Sequence, residues 1–183
     1  MQKKVVLPIL SVLILVSVAF AQQDKSKRPS PPAQASCKFS DGKTITIDYS
    51  SPRMKGRKIF GTEAEQALVP YGQVWRTGAN EATTFVPTAN VTIQGKDIPA
   101  GNYTIFTVPN AGMWTLIINK KTGEWGIPYS YESSELARVD MKVSKTPGPV
   151  EDFTIGFQQS GSACTLNMDW ENTRASVQIT EKK

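Results

Sequence analysis

The chain has no histidine in 183 residues, and that absence excludes more chemistry than any other feature of the sequence. A serine or cysteine nucleophile has no imidazole base here, and the common histidine-bearing zinc sites cannot be built. Acid–base work would fall to carboxylates, lysine or tyrosine. Cysteine is almost as scarce, with only Cys37 and Cys164. Two thiols so far apart do not suggest a metal centre, so the expectation is no metal and no cofactor. They leave two readings open: a disulfide, which in the chain-entropy model is worth about 4 to 5 kcal/mol for a loop of this size, or a pair of buried free thiols. Long apolar runs are missing except one, from Val5 to Phe20.

That single run follows Met1-Gln2-Lys3-Lys4 and closes on Ala19-Phe20-Ala21, a small-x-small pattern. It is shorter than the roughly 20 residues a spanning helix needs. Residues 1–21 therefore read as a cleaved secretory signal, which places the mature chain in the periplasm or outside the cell with no membrane span. The formal net charge is +5, and two of those charges sit in the leader. The remaining basic residues are scattered apart from a cluster between Arg53 and Lys58, so no nucleic-acid stripe is expected.

Residues 22–36 (QQDKSKRPSPPAQAS) contain three prolines and no aromatic or branched aliphatic residue. They read as a flexible tether, since little apolar surface is available to offset their ordering. Residues 37–183 then read as one domain. Ile45, Ile47 and Tyr49 alternate with Thr44, Thr46 and Asp48, the period of a half-buried strand. Thr62 and Glu65 make a capping box before Ala64, Ala67 and Leu68, enough for one short helix. Tyr103–Val108 and Trp114–Asn119 are apolar on both faces, as strands in the middle of a covered sheet are. Strands are also expected on either side of a loop over 144–149 and on either side of 171–173. About nine or ten short strands, closely spaced turn signals and one helix predict an all-β fold: an antiparallel sandwich or jelly roll.

Chemistry concentrates in residues 71–85, YGQVWRTGANEATTF. Arg76, Asn80, Glu81, Thr83 and Thr84 lie between Tyr71, Trp75 and Phe85, with a bend expected over 78–80. In one reading Arg76 and Glu81 pair across the bend and only fix it. In the other, Arg76 faces a cleft with Lys55, Arg57 or Lys58, and its planar fork receives a carboxylate, uronate or phosphate. Trp114 and Trp170 are in phase with core positions. Trp125, Tyr129 and Tyr131 sit beside glycine and proline on a loop, where aromatic rings can line a ligand site.

This stretch, with Tyr49-Ser50-Ser51-Pro52, residues 55–61 (KGRKIFG) and Pro99-Ala100-Gly101-Asn102-Tyr103, resembles a secreted bacterial family of domain of unknown function 2911. The resemblance implies export, a single β-rich domain and residues 49–85 as its diagnostic region. It implies no particular activity.

Three functional classes follow. The first is a binding or interaction module for a glycan, an envelope component or an anionic small molecule, with Arg57, Arg76, Asn80, Glu81, Trp125 and Tyr129 as ligand-binding candidates. The second is a carboxylate-dependent hydrolase using Glu81 with Asp48 or Asp169, which requires two facing carboxyl groups. The third is a structural or interaction protein whose bend has no ligand. A cleft with basic and aromatic walls favours the first, and a close carboxylate pair in an open cleft favours the second.

Overall fold

A computed structural model describes residues 24–183. The leader reading of residues 1–21 lies outside them. Eleven strands account for the regular structure: β1 (Pro32–Lys38), β2 (Thr44–Ser50), β3 (Phe60–Gly61), β4 (Val69–Pro70), β5 (Thr84–Pro87), β6 (Val91–Ile93), β7 (Lys96–Ile98), β8 (Tyr103–Val108), β9 (Met113–Asn119), β10 (Glu135–Ser160) and β11 (Ala163–Glu181). Nine of them form one antiparallel sheet in the order β1-β2-β5-β8-β9-β10-β11-β6-β7, and β3 pairs with β4 in a small parallel ribbon. No helix among the described residues reaches seven residues, and the fold is an all-β, sandwich-like one.

The sheet does not lie open. Beyond β2 the chain runs along the far half of β10: Phe153 N donates to Pro52 O at 2.9 Å, Met54 N to Glu151 O at 2.8 Å, and Ile155 N to the Tyr49 hydroxyl at 3.1 Å. Cys37 on β1 and Cys164 on β11 form a disulfide with Cα atoms 6.3 Å apart. These links bring the two halves of the sheet face to face over one core.

Period-two alternation fills that core from every long strand. Ile45 and Ile47 come from β2, Ile105 from β8, Trp114, Leu116 and Ile118 from β9, and Leu166, Met168 and Trp170 from β11. At one end the aromatics cluster. Trp75 stacks on Trp170 with centroids 5.8 Å apart, while Phe60 meets Trp114 and Trp75 meets Phe153 edge-on, each at 4.8 Å. Each such pair contributes about 0.5–1.5 kcal/mol beyond area burial. Strands β8 and β9 are central and covered on both sides: their outer residues Phe106 and Ile117 pack under the loop that carries Tyr129 and Tyr131.

Three sequence expectations need correction. The tether expected over residues 22–36 ends early, because Pro32–Lys38 is an edge strand paired residue by residue with β2, Ala33 facing Tyr49 and Cys37 facing Ile45. Main-chain pairing and the disulfide order it where apolar side chains are few. The expected short helix is a single 3-10 turn, Glu63–Glu65, closed by Gln66 at φ 55°. Its capping interaction is present, Thr62 N to the Glu65 carboxylate at 2.7 Å, but Leu68 beyond it is 43% exposed and belongs to no helix face. The loop expected over 144–149 is instead a bulge within β10, where the ladder to β11 slips between Lys145 and Val150. Pro147 and Pro149 have no N–H to offer a ladder, and a bulge asks for none. Opposite it, Glu171 takes φ 54° and β11 runs on unbroken.

Candidate functional site

The central stretch uses β8 as its template. Trp75 exchanges both main-chain hydrogen bonds with Thr107, at 2.8 and 3.0 Å, and Ile105 N donates to Thr83 O at 2.9 Å. Residues 76–82, lying between these two points, are forced outward as a bend. Thr77 and Asn80 both adopt φ 57°. For a β-branched residue this is a true outlier, and a cost of about 1–3 kcal/mol persists only where the surroundings over-determine the conformation. Here they do: the Thr83 hydroxyl donates to Thr77 O at 2.7 Å, the Thr77 and Thr107 hydroxyls are 3.1 Å apart, and Trp75 Nε1 donates to Gly78 O at 3.0 Å. Gly78 is required by close approach, since a Cβ there would meet Ser50 O at 2.9 Å.

The expected pair between Arg76 and Glu81 does not form. Arg76 turns back to donate from Nη1 to Asn80 O, and its guanidinium lies 5.1 Å over the Trp125 ring. Burial without an acidic partner pulls its pKa down. Glu81 faces the other way, toward the segment before β1. Its carboxylate accepts from Arg28 Nη1 at 3.0 and 2.8 Å and lies 3.1 Å from Lys25 Nζ. Its own backbone N–H, then Arg28 and Lys25, hold it well below the usual carboxylate range, at about 2. Asn80 works on the same segment, donating from Nδ2 to Ser30 O at 3.0 Å. Asn80 and Glu81, both expected at a ligand, thus strap residues 25–30 across the bend; Asn80 also lines the cleft beside the bend, and Glu81 does not.

What the bend and the strap enclose is an open cleft of about 520 Å³. Trp75, Trp125 and Trp170 line it together with Arg57, Arg76 and Leu68, and Ser30 of the strap closes one side. Two of the three exposed large hydrophobic residues in the described chain, Leu68 and Trp125, stand on its walls. Among the described residues, no aspartate or glutamate lines it. Arg57 spends its guanidinium on the carbonyls of Met54 and Arg53, at 3.0 and 2.5 Å, and has no carboxylate partner among the described residues. The result is a water-exposed apolar surface beside two positive charges that have no ion-pair partner among the described residues.

The other candidates lie elsewhere. Tyr129 packs edge-on against Phe106 at 4.8 Å, donates to Glu135 Oε1 at 2.6 Å and accepts from Asn119 at 3.2 Å. Burial first, and then Glu135, push its hydroxyl pKa up. It supports the loop from beneath and does not line the cleft. Asp169 makes a two-pronged pair with Arg174, at 2.8 and 2.5 Å, on the strand face opposite Trp170. Asp48 accepts from Gln34 Nε2 at 2.7 Å. It does share a separate hollow of about 180 Å³ with Glu81, Lys25 and Arg28, so the structure brings Asp48 and Glu81 to one place and leaves Asp169 out. Sequence reasoning missed Leu68 and Ser30 as cleft residues, whereas Trp170, 1% exposed, is the core residue its phase predicts and only backs the cleft floor. Leu68 alone carried a signal, as a large apolar residue between Ala67 and the proline at position 70.

No curated protein and no solved structure matches this chain. The match lies with a family model spanning residues 30–179, from the strap residue that closes the cleft to the last core position of β11. The chain belongs to the family described as Protein of unknown function (DUF2911).

Proposed function

We propose that the chain is an exported binding module whose cleft takes an anionic small molecule with a flat apolar face, the chemistry of a sugar acid. One observation carries this reading: a cleft with aromatic and basic walls and no acidic side chain. An indole offers its face to the C–H face of a pyranose ring, and an arginine already placed over that indole offers a carboxylate two parallel donors. The strained bend at Thr77 and Asn80 supports the same reading, because such conformations cluster where ligands are clamped.

A hydrolase using Glu81 with Asp48 has one observation in its favour, the hollow those residues share. Against it stands the chemistry of Glu81. A carboxyl that titrates at about 2 between two cations is not available as a general acid at neutral pH.

The test is a titration of the tryptophan fluorescence with glucuronate, with glucose as the neutral control and a Trp125→Phe variant to identify the Trp125 contribution among the four tryptophans. Glucuronate is expected to bind and glucose to bind more weakly. Replacing Arg76 by alanine removes a charge-assisted pair worth about 1.5–3 kcal/mol, a loss of roughly tenfold to a hundredfold in affinity. Equal responses to the acid and the neutral sugar, or an Arg76→Ala variant that binds like wild type, would sink the reading.

A further inference from the structure

The cleft does not end at Arg57. A second hollow of about 340 Å³, lined by Pro29, Ser30, Arg53, Lys55 and Arg57, adjoins it and shares Ser30 and Arg57 with it. Three of those five residues are cations, and their states differ. Arg53 is spent: it pairs with Asp152 at 2.8 Å and donates to Ser51 O at 2.7 Å. Lys55 has no ion pair among the described residues, and Arg57 faces both hollows.

The segment that presents Lys55 is held in place. Its backbone N donates to Glu151 Oε1 at 2.8 Å, Met54 N donates to Glu151 O at 2.8 Å, and Arg57 N closes a turn on Met54 O at 3.1 Å. Lys55 and Gly56 both take left-handed φ values, 50° and 69°. Residues 54–57 are thus fixed to β10 with their charges turned toward solvent, and little ordering entropy remains to oppose a ligand.

Resting on the reading of the aromatic cleft as a sugar-acid site, we infer that the ligand is a chain, an acidic oligosaccharide of at least two units. One ring lies against Trp125, which is 56% exposed, with its carboxylate at Arg76, the next carboxylate lies in the second hollow at Lys55, and Arg57 stands between them. The two hollows differ in kind, and that difference selects the class. A polyphosphate would use both cationic ends and have no use for the indole faces, whereas a uronic acid chain repeats a carboxylate and an apolar ring face at every unit.

The experiment is isothermal titration of the protein at fixed ionic strength with galacturonic acid, its dimer and trimer, and tripolyphosphate. It is repeated for Lys55→Asn, which removes the charge while asparagine tolerates the left-handed turn. The expected result is a gain of about tenfold or more from monomer to dimer, equivalent to about 1.4 kcal/mol. Lys55→Asn should lose that gain and keep the monomer affinity and the melting temperature of wild type. Equal affinity for monomer and dimer, or a gain that survives Lys55→Asn, overturns the second subsite and leaves the single-unit reading standing. Tripolyphosphate binding more tightly than the trimer overturns the sugar class. If no uronate binds at any length, this inference and the proposed function fall together.

Discussion

Gly126 holds the loop of Trp125 against the sheet, and replacing it by alanine gives the most direct test of how the cleft is built. It adopts φ 93°, and a Cβ placed on it would come within 2.8 Å of Ala82 Cβ, 3.1 Å of Phe106 Cε1 and 3.3 Å of Arg76 Cβ. Two of those neighbours belong to the small packed cluster under the loop and the third is the stem of the cleft arginine. None is the free end of a flexible side chain, so the loop must lift. Overpacking costs about 1–3 kcal/mol, and a left-handed conformation adds about 1–2 kcal/mol for a residue with a Cβ. For a domain of this size each kcal/mol moves the melting temperature by roughly 2–4 °C, so Gly126→Ala should lower it by roughly 10 °C. Gly123 is the control. It lies in the same loop at φ 77° with no atom within 4 Å of the added Cβ, so Gly123→Ala carries the conformational cost alone. Circular dichroism melts of both variants measure the difference, and tryptophan fluorescence, with Trp125→Phe as the reference for the Trp125 contribution, reports whether the indole has moved off Arg76. Two variants melting within about 2 °C of each other, with unchanged fluorescence, would refute the packing argument.

The strap gives a pH prediction. The folded pKa of Glu81 lies below its ordinary value, at about 2 rather than 4.5, so its stabilisation is present above pH 4.5 and disappears as pH falls toward 2. The side chain is 42% exposed, and screening keeps the contribution to about 1 kcal/mol or less. Wild type should therefore unfold at a higher urea concentration than Glu81→Gln at pH 6, and the two should coincide at pH 2; a constant offset across that range would assign the effect to something other than the charge. For the disulfide, a sequence separation of 127 residues gives about 5 kcal/mol in the chain-entropy model. A Cys37→Ser, Cys164→Ser double variant should lose most of that, and a urea midpoint unmoved by reduction of wild type would show that the link contributes nothing.

The β-rich class was legible because strand periodicity is a local signal. Ile45, Ile47 and Tyr49 had to face one way whatever they packed on, and the two-sided apolar strands β8 and β9 had to lie under cover. What could not be read depends on partners far away in the chain. Ala35 is buried because β2 pairs with it, and no feature of its own neighbourhood says so. The bulge at Pro147 and Pro149 looks like a loop to any local rule, since both break a ladder and only the strands on either side show that it resumes. The site divides in the same way. Arg57, Arg76 and Trp125 were identifiable as charge and aromatic surface in the right kind of segment. The partner of Glu81 was not, because Arg28 is 53 residues away in a stretch whose composition gives no reason to fold.

The Cys37–Cys164 bond also makes a closed covalent circuit of most of the domain. The loop over residues 120–131, which carries Trp125, lies inside that circuit. A protease cutting there would leave two pieces still joined, with β9 and β10 able to keep their places. Residues 24–36 lie outside it. Trimming before Pro32 would carry off Lys25, Arg28 and Ser30 in one piece, removing a wall shared by the cleft and the second hollow without opening the ring, so that the strapped side of the cleft would be laid open while the covalent circuit stayed closed.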